Sequence, residues 1–137
     1  MTRPLEQCTA IVTGATRGVG RGVAVELAAQ GAVVYVTGRT LREGDSRWPG
    51  SLESTIAEAE ALGGRIVGLV CDHRDDEQVR AVFDRVRAEQ DRLDLLVNNA
   101  FLIPDDMDPN APFWETGLDC WDDMHTIGAR SAYVGTW

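Results

Sequence analysis

The chemistry in this chain concentrates in one short stretch, Thr13-Gly14-Ala15-Thr16-Arg17-Gly18-Val19-Gly20. A bound diphosphate needs bare backbone N–H groups at the start of a helix and no Cβ in its path. Glycines at 14, 18 and 20 can supply a tight turn, that approach path and close helix packing. The spacing is T-G-x-x-x-G-x-G; position 23 is valine, so it is not G-x-G-x-x-G, and no lysine follows to make a phosphate-binding P-loop. Glycine clusters also simply make turns. Here the cluster lies between an apolar run and a helical pattern, as nucleotide binding by this mechanism requires.

A second chemical signal ends the next apolar run. An NAD site places a carboxylate there, about 20 residues past the glycines, for the ribose 2′-hydroxyl. This chain has Thr37-Gly38-Arg39 instead. A guanidinium pairs with a 2′-phosphate through charge-assisted hydrogen bonds, where a carboxylate would repel it. Arg17, inside the glycine turn, can reach the same group. The plain alternative is that both are solvated surface arginines. NADP is expected over NAD.

Other chemistries are excluded. All 13 basic residues are arginine, so Schiff-base catalysis and any lysine-assisted proton relay are impossible within this chain. Cys8, Cys71 and Cys120 are an odd number with no C-x-x-C pair, which argues against a disulfide framework. Cys71-x-His73 and Cys120-x4-His125 lack zinc-finger spacing, so no metal is expected and reduced thiols are the simpler account.

The elements that must position these residues follow from periodicity. Thr9–Val12 reads as a buried strand, and 18–30 as a helix with Val19, Val23, Ala24, Leu27 and Ala28 on one face, stopped by Gly31. Residues 32–36 form a second strand and 40–50 a loop. Ser51 or Ser54 caps a helix closed by Gly63-Gly64, and 66–70 is a third strand. Asp75-x-x-Gln78 reads as a capping box for a helix burying Val79, Val82, Phe83 and Val86. Residues 93–97 make a fourth strand ending in Asn98-Asn99. A Pro/Asp-rich loop, 104–112, then leads to a last helix from near Thr116, expected to carry Leu118, Trp121, Met124 and His125 inward. Strand–helix alternation predicts an α/β fold, a Rossmann-like doubly wound parallel sheet of order 3-2-1-4 with flanking helices. Such folds use roughly six strands, so residues 1–137 read as the N-terminal dinucleotide-binding portion of a single-domain protein.

Composition sets outer bounds. The 137 residues carry a net charge of −9 with no basic run, which disfavours nucleic acid as a partner. No apolar run approaches the ~18 residues of a membrane span. The stretch from Met1 to Glu6 lacks a secretory signal. A cytoplasmic protein is expected.

Three segments in order, Thr13–Gly20, Cys71-Asp72 and Leu93-Asp94-Leu95-Leu96-Val97-Asn98-Asn99-Ala100, resemble the short-chain dehydrogenase/reductase family. The resemblance implies that Gly14, Thr16, Gly18, Val19 and Gly20 cradle the pyrophosphate and that Arg17 and Arg39 hold the 2′-phosphate of NADP. It places Asp72, with His73 beside it, at the adenine edge and Asn99 at the adenine-side ribose. Asp72 could instead cap the following turn, and Asn98 could tie the fourth strand to its neighbours. Phe113-Trp114-Glu115-Thr116 and Trp121-Asp122-Asp123-Met124 look like one subgroup, in which an aromatic follows Asn-Asn-Ala, here Phe101. Gly128 stands where most members carry a relay asparagine.

The family's catalytic serine and Tyr-x-x-x-Lys are missing. Tyr133 is followed four residues later by Trp137, and the resemblance makes it a packing tyrosine. The implied activity is hydride transfer between NADP(H) and a small-molecule carbonyl or alcohol, in a homodimer or tetramer, with no catalytic residue in this chain. A non-catalytic nucleotide-binding module and a non-functional remnant are the competing readings. Met107, Phe113 and Trp114 could border a pocket or merely cover their loop.

Overall fold

The computed structural model describes residues 3–137; Met1 and Thr2 of the N-terminal stretch lie outside the described residues. Four parallel strands, β1 (Thr9–Val12), β2 (Val33–Gly38), β3 (Arg65–Val70) and β4 (Leu95–Val97), form one sheet of order β3-β2-β1-β4. Thr9 lies opposite Val33 in register and Ala10 opposite Leu95. This is the expected architecture. Helices α1 (Gly18–Ala29), α2 (Leu52–Ala61) and α3 (Asp76–Glu89) make the crossovers.

Successive strand residues point to opposite faces, and both faces are covered. Ala10, Val12, Val34 and Val36 pack against Ala24, Val25, Ala28, Leu52 and Ala59 of α1 and α2. Ile11 and Tyr35 point the other way, onto Val79, Val82 and Val86 of α3. Double coverage is what a parallel sheet needs. The Tyr35 hydroxyl donates to Glu89 Oε2 at 2.8 Å and accepts from Gln90 Nε2 at 3.0 Å, so the buried ring keeps its polar end satisfied.

Caps explain the helix starts. Ser51 and Ser54 form a reciprocal capping box on α2. On α3, Asp75 accepts from the N–H groups of Glu77 and Gln78. The reciprocal half of that box differs from expectation: Gln78 accepts from the N–H of Asp72, not of Asp75. The cap thereby ties α3 to the end of β3.

Two predicted faces are corrected. Val19 is 76% exposed while Val25 is buried. The residues α1 buries are Gly20, Ala24, Val25 and Ala28, with Val23 and Leu27 packed beside them, so Val19 stands off this face at the open carboxyl end of the strands. The last helix begins later than expected, after a single 3₁₀ turn at Phe113–Glu115. It runs as α4 (Leu118–His125), a π-helical turn (Thr126–Arg130) and α5 (Ser131–Thr136). Leu118 is 87% exposed, and Trp121 and Met124 are also exposed. His125 faces out too, stacked on Trp121 at 3.7 Å between ring centroids. The face turned inward is instead Ile127, Ser131 and Gly135. Small residues permit the close approach: a Cβ on Gly135 would sit 3.1 Å from Asn98 Oδ1. Arg130 adds a bidentate pair to Asp76, both contacts 2.7 Å. Tyr133 is exposed and does not pack here.

Cys71 is buried at the end of β3. Burial, then the nearby charges of Asp72 and Asp75, push its thiol up to about 11. Since the thiolate is the nucleophile, Cys71 is expected to resist iodoacetamide at pH 8 in the native protein while half-exposed Cys8 and Cys120 label. Mass spectrometry of modified peptides, with and without denaturant, checks this.

Candidate functional site

The candidate cofactor-binding residues, in the 14–20 turn and at Arg39, Asp72, His73 and Asn99, follow the carboxyl ends of β1, β2, β3 and β4, where open α/β folds bind ligands. At the centre, β1 runs into the glycine turn. Thr13 Oγ1 accepts from the N–H groups of Asn99 and Ala100, each at 3.0 Å. Asn99 Nδ2 donates to Thr13 O at 3.0 Å and to Gly14 O at 2.9 Å. The end of β4 is thus the scaffold of the turn, and both amide hydrogens of Asn99 are committed to it. Oδ1 is the amide's remaining polar atom.

The glycines do different work. Gly14 has φ +69°, and a Cβ there would lie 2.8 Å from Ala100 Cα. Gly20 would press a Cβ to 2.3 Å from Asn99 Nδ2. These two are required by packing. Gly18 has φ +58° but would place its Cβ in open space.

Arg17, the N-cap residue of α1, supplies no side-chain cap. The first i→i−4 bond of the helix is donated by Arg21 N–H to Arg17 O at 3.3 Å. Gly18, Val19 and Gly20 precede it, so their N–H groups belong to the orphan donors of a helix start. Gly18 and Val19 are exposed to solvent. This is an anion-accepting geometry, with the positive end of the helix dipole behind it.

The arginines diverge in environment. Arg17 donates through Nε to Pro49 O at 2.9 Å, and through Nη2 to Gly50 O at 3.0 Å and Thr40 Oγ1 at 3.2 Å. It holds the 40–50 loop against the turn, where Gly50, at φ +99°, has no room for a Cβ beside Thr16 O. Thr16 is buried beneath this loop. Arg39 is exposed and makes no hydrogen bond or ion pair among the described residues. Its guanidinium is uncommitted.

Asp72 and His73 part company at the end of β3. Burial alone would raise the Asp72 carboxyl, but hydrogen bonds from the Arg74 N–H and guanidinium, with the charges of Arg74 and Arg39, hold it below the usual carboxylate range. Its backbone N–H is used by Gln78, while its side chain accepts from the Arg74 N–H at 3.0 Å and so caps the turn that leads to Asp75, the alternative the sequence offered. His73 turns inward and lies 2.7 Å from Thr37 Oγ1. Asn98 donates to Thr136 Oγ1 at 3.1 Å and ties β4 to α5.

Sequence reasoning missed Thr13, Thr37 and Thr40, which organise the turn from the ends of β1 and β2. The available signal was a hydroxyl closing each of two apolar strands. Met107 lines a cavity of about 230 Å³ with Asp106, Glu115 and Cys120, but Phe113 and Trp114 stand outside it, edge to face in solvent. Among the described residues no His/Cys/Asp/Glu cluster could hold a metal ion, and no helix is long and apolar enough to cross a membrane.

Comparison with known proteins agrees with this geometry. The sequence model of the family "short chain dehydrogenase" matches residues 8–137. The chain is 41% identical to Dehydrogenase/reductase SDR family member 1 of Mus musculus, over 98% of this chain and 41% of that protein. The Homo sapiens protein of the same name is also 41% identical, over 97% of this chain and 41% of its own length. These proteins represent the subgroup that the aromatic details resemble. Among solved structures, a short chain dehydrogenase of Mycobacterium thermoresistibile superposes with TM-score 0.82 at 28% identity, over 95% of this chain and 44% of that one. A metagenomic short-chain oxidoreductase, solved in complex with NADP, superposes with TM-score 0.80 at 28% identity, over 96% of this chain and 54% of that one. The chain spans about two fifths of the length of these curated relatives. Family profile, subgroup likeness and a parallel sheet opening onto an uncapped glycine turn converge: the chain belongs to the short-chain dehydrogenase/reductase family of oxidoreductases.

Proposed function

We propose that this chain is the cofactor-binding portion of an NADP(H)-dependent oxidoreductase acting on a small carbonyl or alcohol. One observation carries the reading: an uncapped helix start, bare at Gly18, shares the carboxyl end of the sheet with the uncommitted guanidinium of Arg39. In this reading the 14–20 turn takes the diphosphate, with Thr16 and Val19 flanking it. Arg39 takes the 2′-phosphate. Arg17 contributes its charge from the loop it anchors. Asp72 faces the adenine edge, and Asn99 Oδ1 the adenine-side ribose. When bound, the nicotinamide supplies the hydride chemistry.

The residues here bind and orient. With no lysine in the sequence, the chain holds no Tyr-x-x-x-Lys, and Tyr133, exposed and followed by Trp137, is not its substitute. The 137-residue chain is therefore expected to bind cofactor without turning substrate over. Calorimetric titration with NADP⁺ and NAD⁺, beside an assay of NADPH consumption with ketones, aldehydes and quinones, tests both parts. NADP⁺ binding without turnover is the expected result. Failure to bind either nucleotide overturns the reading.

A further inference from the structure

Thr37 is fully buried at the end of β2 and holds the glycine turn twice. Its carbonyl accepts from the Ala15 N–H at 2.9 Å, and its hydroxyl oxygen accepts from the Gly14 N–H at 3.3 Å. The same hydroxyl lies 2.7 Å from Nε2 of His73, itself only 8% exposed. A threonine hydroxyl has one hydrogen to give. Among the described residues that hydrogen has no acceptor within reach but Nε2, so the ring takes it there as an unprotonated acceptor, with its own proton on Nδ1.

A proton on Nε2 reverses the last bond. The Thr37 oxygen would then face two donors, while its own hydrogen would lose its partner in a fully buried position. The oxygen's two lone pairs can take both donors, so the hydroxyl must turn to find its hydrogen a new acceptor, and the long 3.3 Å bond from Gly14 is the contact that this rotation weakens. We infer that His73 is a positioning residue which, acting through Thr37, holds the Gly14 end of the glycine turn in place and makes nucleotide affinity depend on a neutral imidazole. The affinity part rests on the nucleotide reading above.

Burial favours a neutral imidazole, against the one nearby charge. Burial lowers the proton affinity of His73 below the ordinary 6.5, against the opposing pull of Asp72. Arg39 at the end of β2 acts on Asp72, and Asp75 at the start of α3 acts on Cys71; among the described residues Asp72 is the one charge that acts on the imidazole. The folded state thus binds this proton less readily than the unfolded chain. The stability it contributes is complete above 6.5 and declines below it, while the native bond chain itself breaks only as pH falls through the lowered value.

Nuclear magnetic resonance of the ligand-free chain tests the coupling directly. Imidazole nitrogen shifts should show the Nδ1–H tautomer at neutral pH. The Gly14 amide proton should move with the His73 titration, and Thr37→Val should abolish that response. An Nε2–H tautomer, or a Gly14 amide indifferent to His73, overturns the inference. The second measurement is NADP⁺ affinity against pH, taken as the ratio of wild type to variant so that the ligand's own phosphate titration cancels. His73→Leu should weaken binding roughly 3- to 10-fold at neutral pH, the worth of one hydrogen bond. His73→Gln, which keeps a neutral acceptor within reach of Thr37, should remove the acid-side loss; a loss that persists in His73→Gln overturns the affinity part. If wild type binds no NADP⁺, the functional reading fails and the affinity part with it, while the resonance data still decide the coupling.

Discussion

Gly14→Ala is expected to cost about 2 to 5 kcal/mol of stability, combining a side chain in left-handed backbone with overpacking of a tight contact. The φ of +69° already disfavours any side chain, and the new Cβ would press to 2.8 Å against Ala100 Cα, a backbone atom pinned by its hydrogen bond to Thr13. Neither side can yield without breaking the link between β1 and β4. Set against a total of about 5–15 kcal/mol for an ordinary domain, the loss is a large share. Gly18→Ala is expected to behave differently. Its φ is +58°, but its Cβ would meet nothing, so only the backbone term of about 1–2 kcal/mol applies. Relief of that strain re-aims the first N–H groups of α1, and nucleotide affinity should fall about tenfold or more, the loss of one charge-assisted bond. Urea denaturation and NADP⁺ titration of the two variants separate packing from ligand approach. Equal stability of the pair would refute the packing argument, and undiminished affinity in Gly18→Ala the anion site.

Arg39→Glu carries the second large effect. Arg39 is exposed and without a partner among the described residues, so the substitution should leave the denaturation midpoint nearly unchanged. Hydrogen bonds to charged groups contribute about 1.5–3 kcal/mol, so losing the guanidinium should weaken NADP⁺ about 10- to 150-fold. The new carboxylate would repel a 2′-phosphate and accept from a 2′-hydroxyl, which should strengthen NAD⁺. The ratio of the two affinities is therefore expected to invert. It should be measured at low and at physiological salt, since exposed charges are screened. An unchanged ratio would remove Arg39 from the site. Arg17 is a poorer test, because its three bonds to Thr40, Pro49 and Gly50 make any loss of binding ambiguous with release of the loop.

What could be read before folding was local in origin. Strand and helix order follows from periodicity within each segment, and the position of the turn from glycines that no other residue replaces cheaply. The caps at Ser51 and Asp75 act over two or three residues and were equally visible. The last helix went wrong for an instructive reason. Its bulky stripe, Leu118, Trp121 and Met124, has helical spacing, but periodicity identifies an apolar face without saying whether this chain covers it. The sheet instead took the face whose small residues, Ser131 and Gly135, let the backbone come close.

The amino-acid order alone thus determined an α/β chain with a glycine-rich turn bare of side chains after the first strand, because both properties depend on neighbours a few positions apart. Only the tertiary structure decided which polar groups are spent and which remain free. Asn99 gives its hydrogens to a turn 85 positions earlier in the chain, Arg17 is consumed by a loop 33 residues on, and His73 reaches the turn through a threonine 36 residues before it. Hydrogen bonds act over about 3 Å and need a particular direction, so such commitments exist only once distant segments have been brought together.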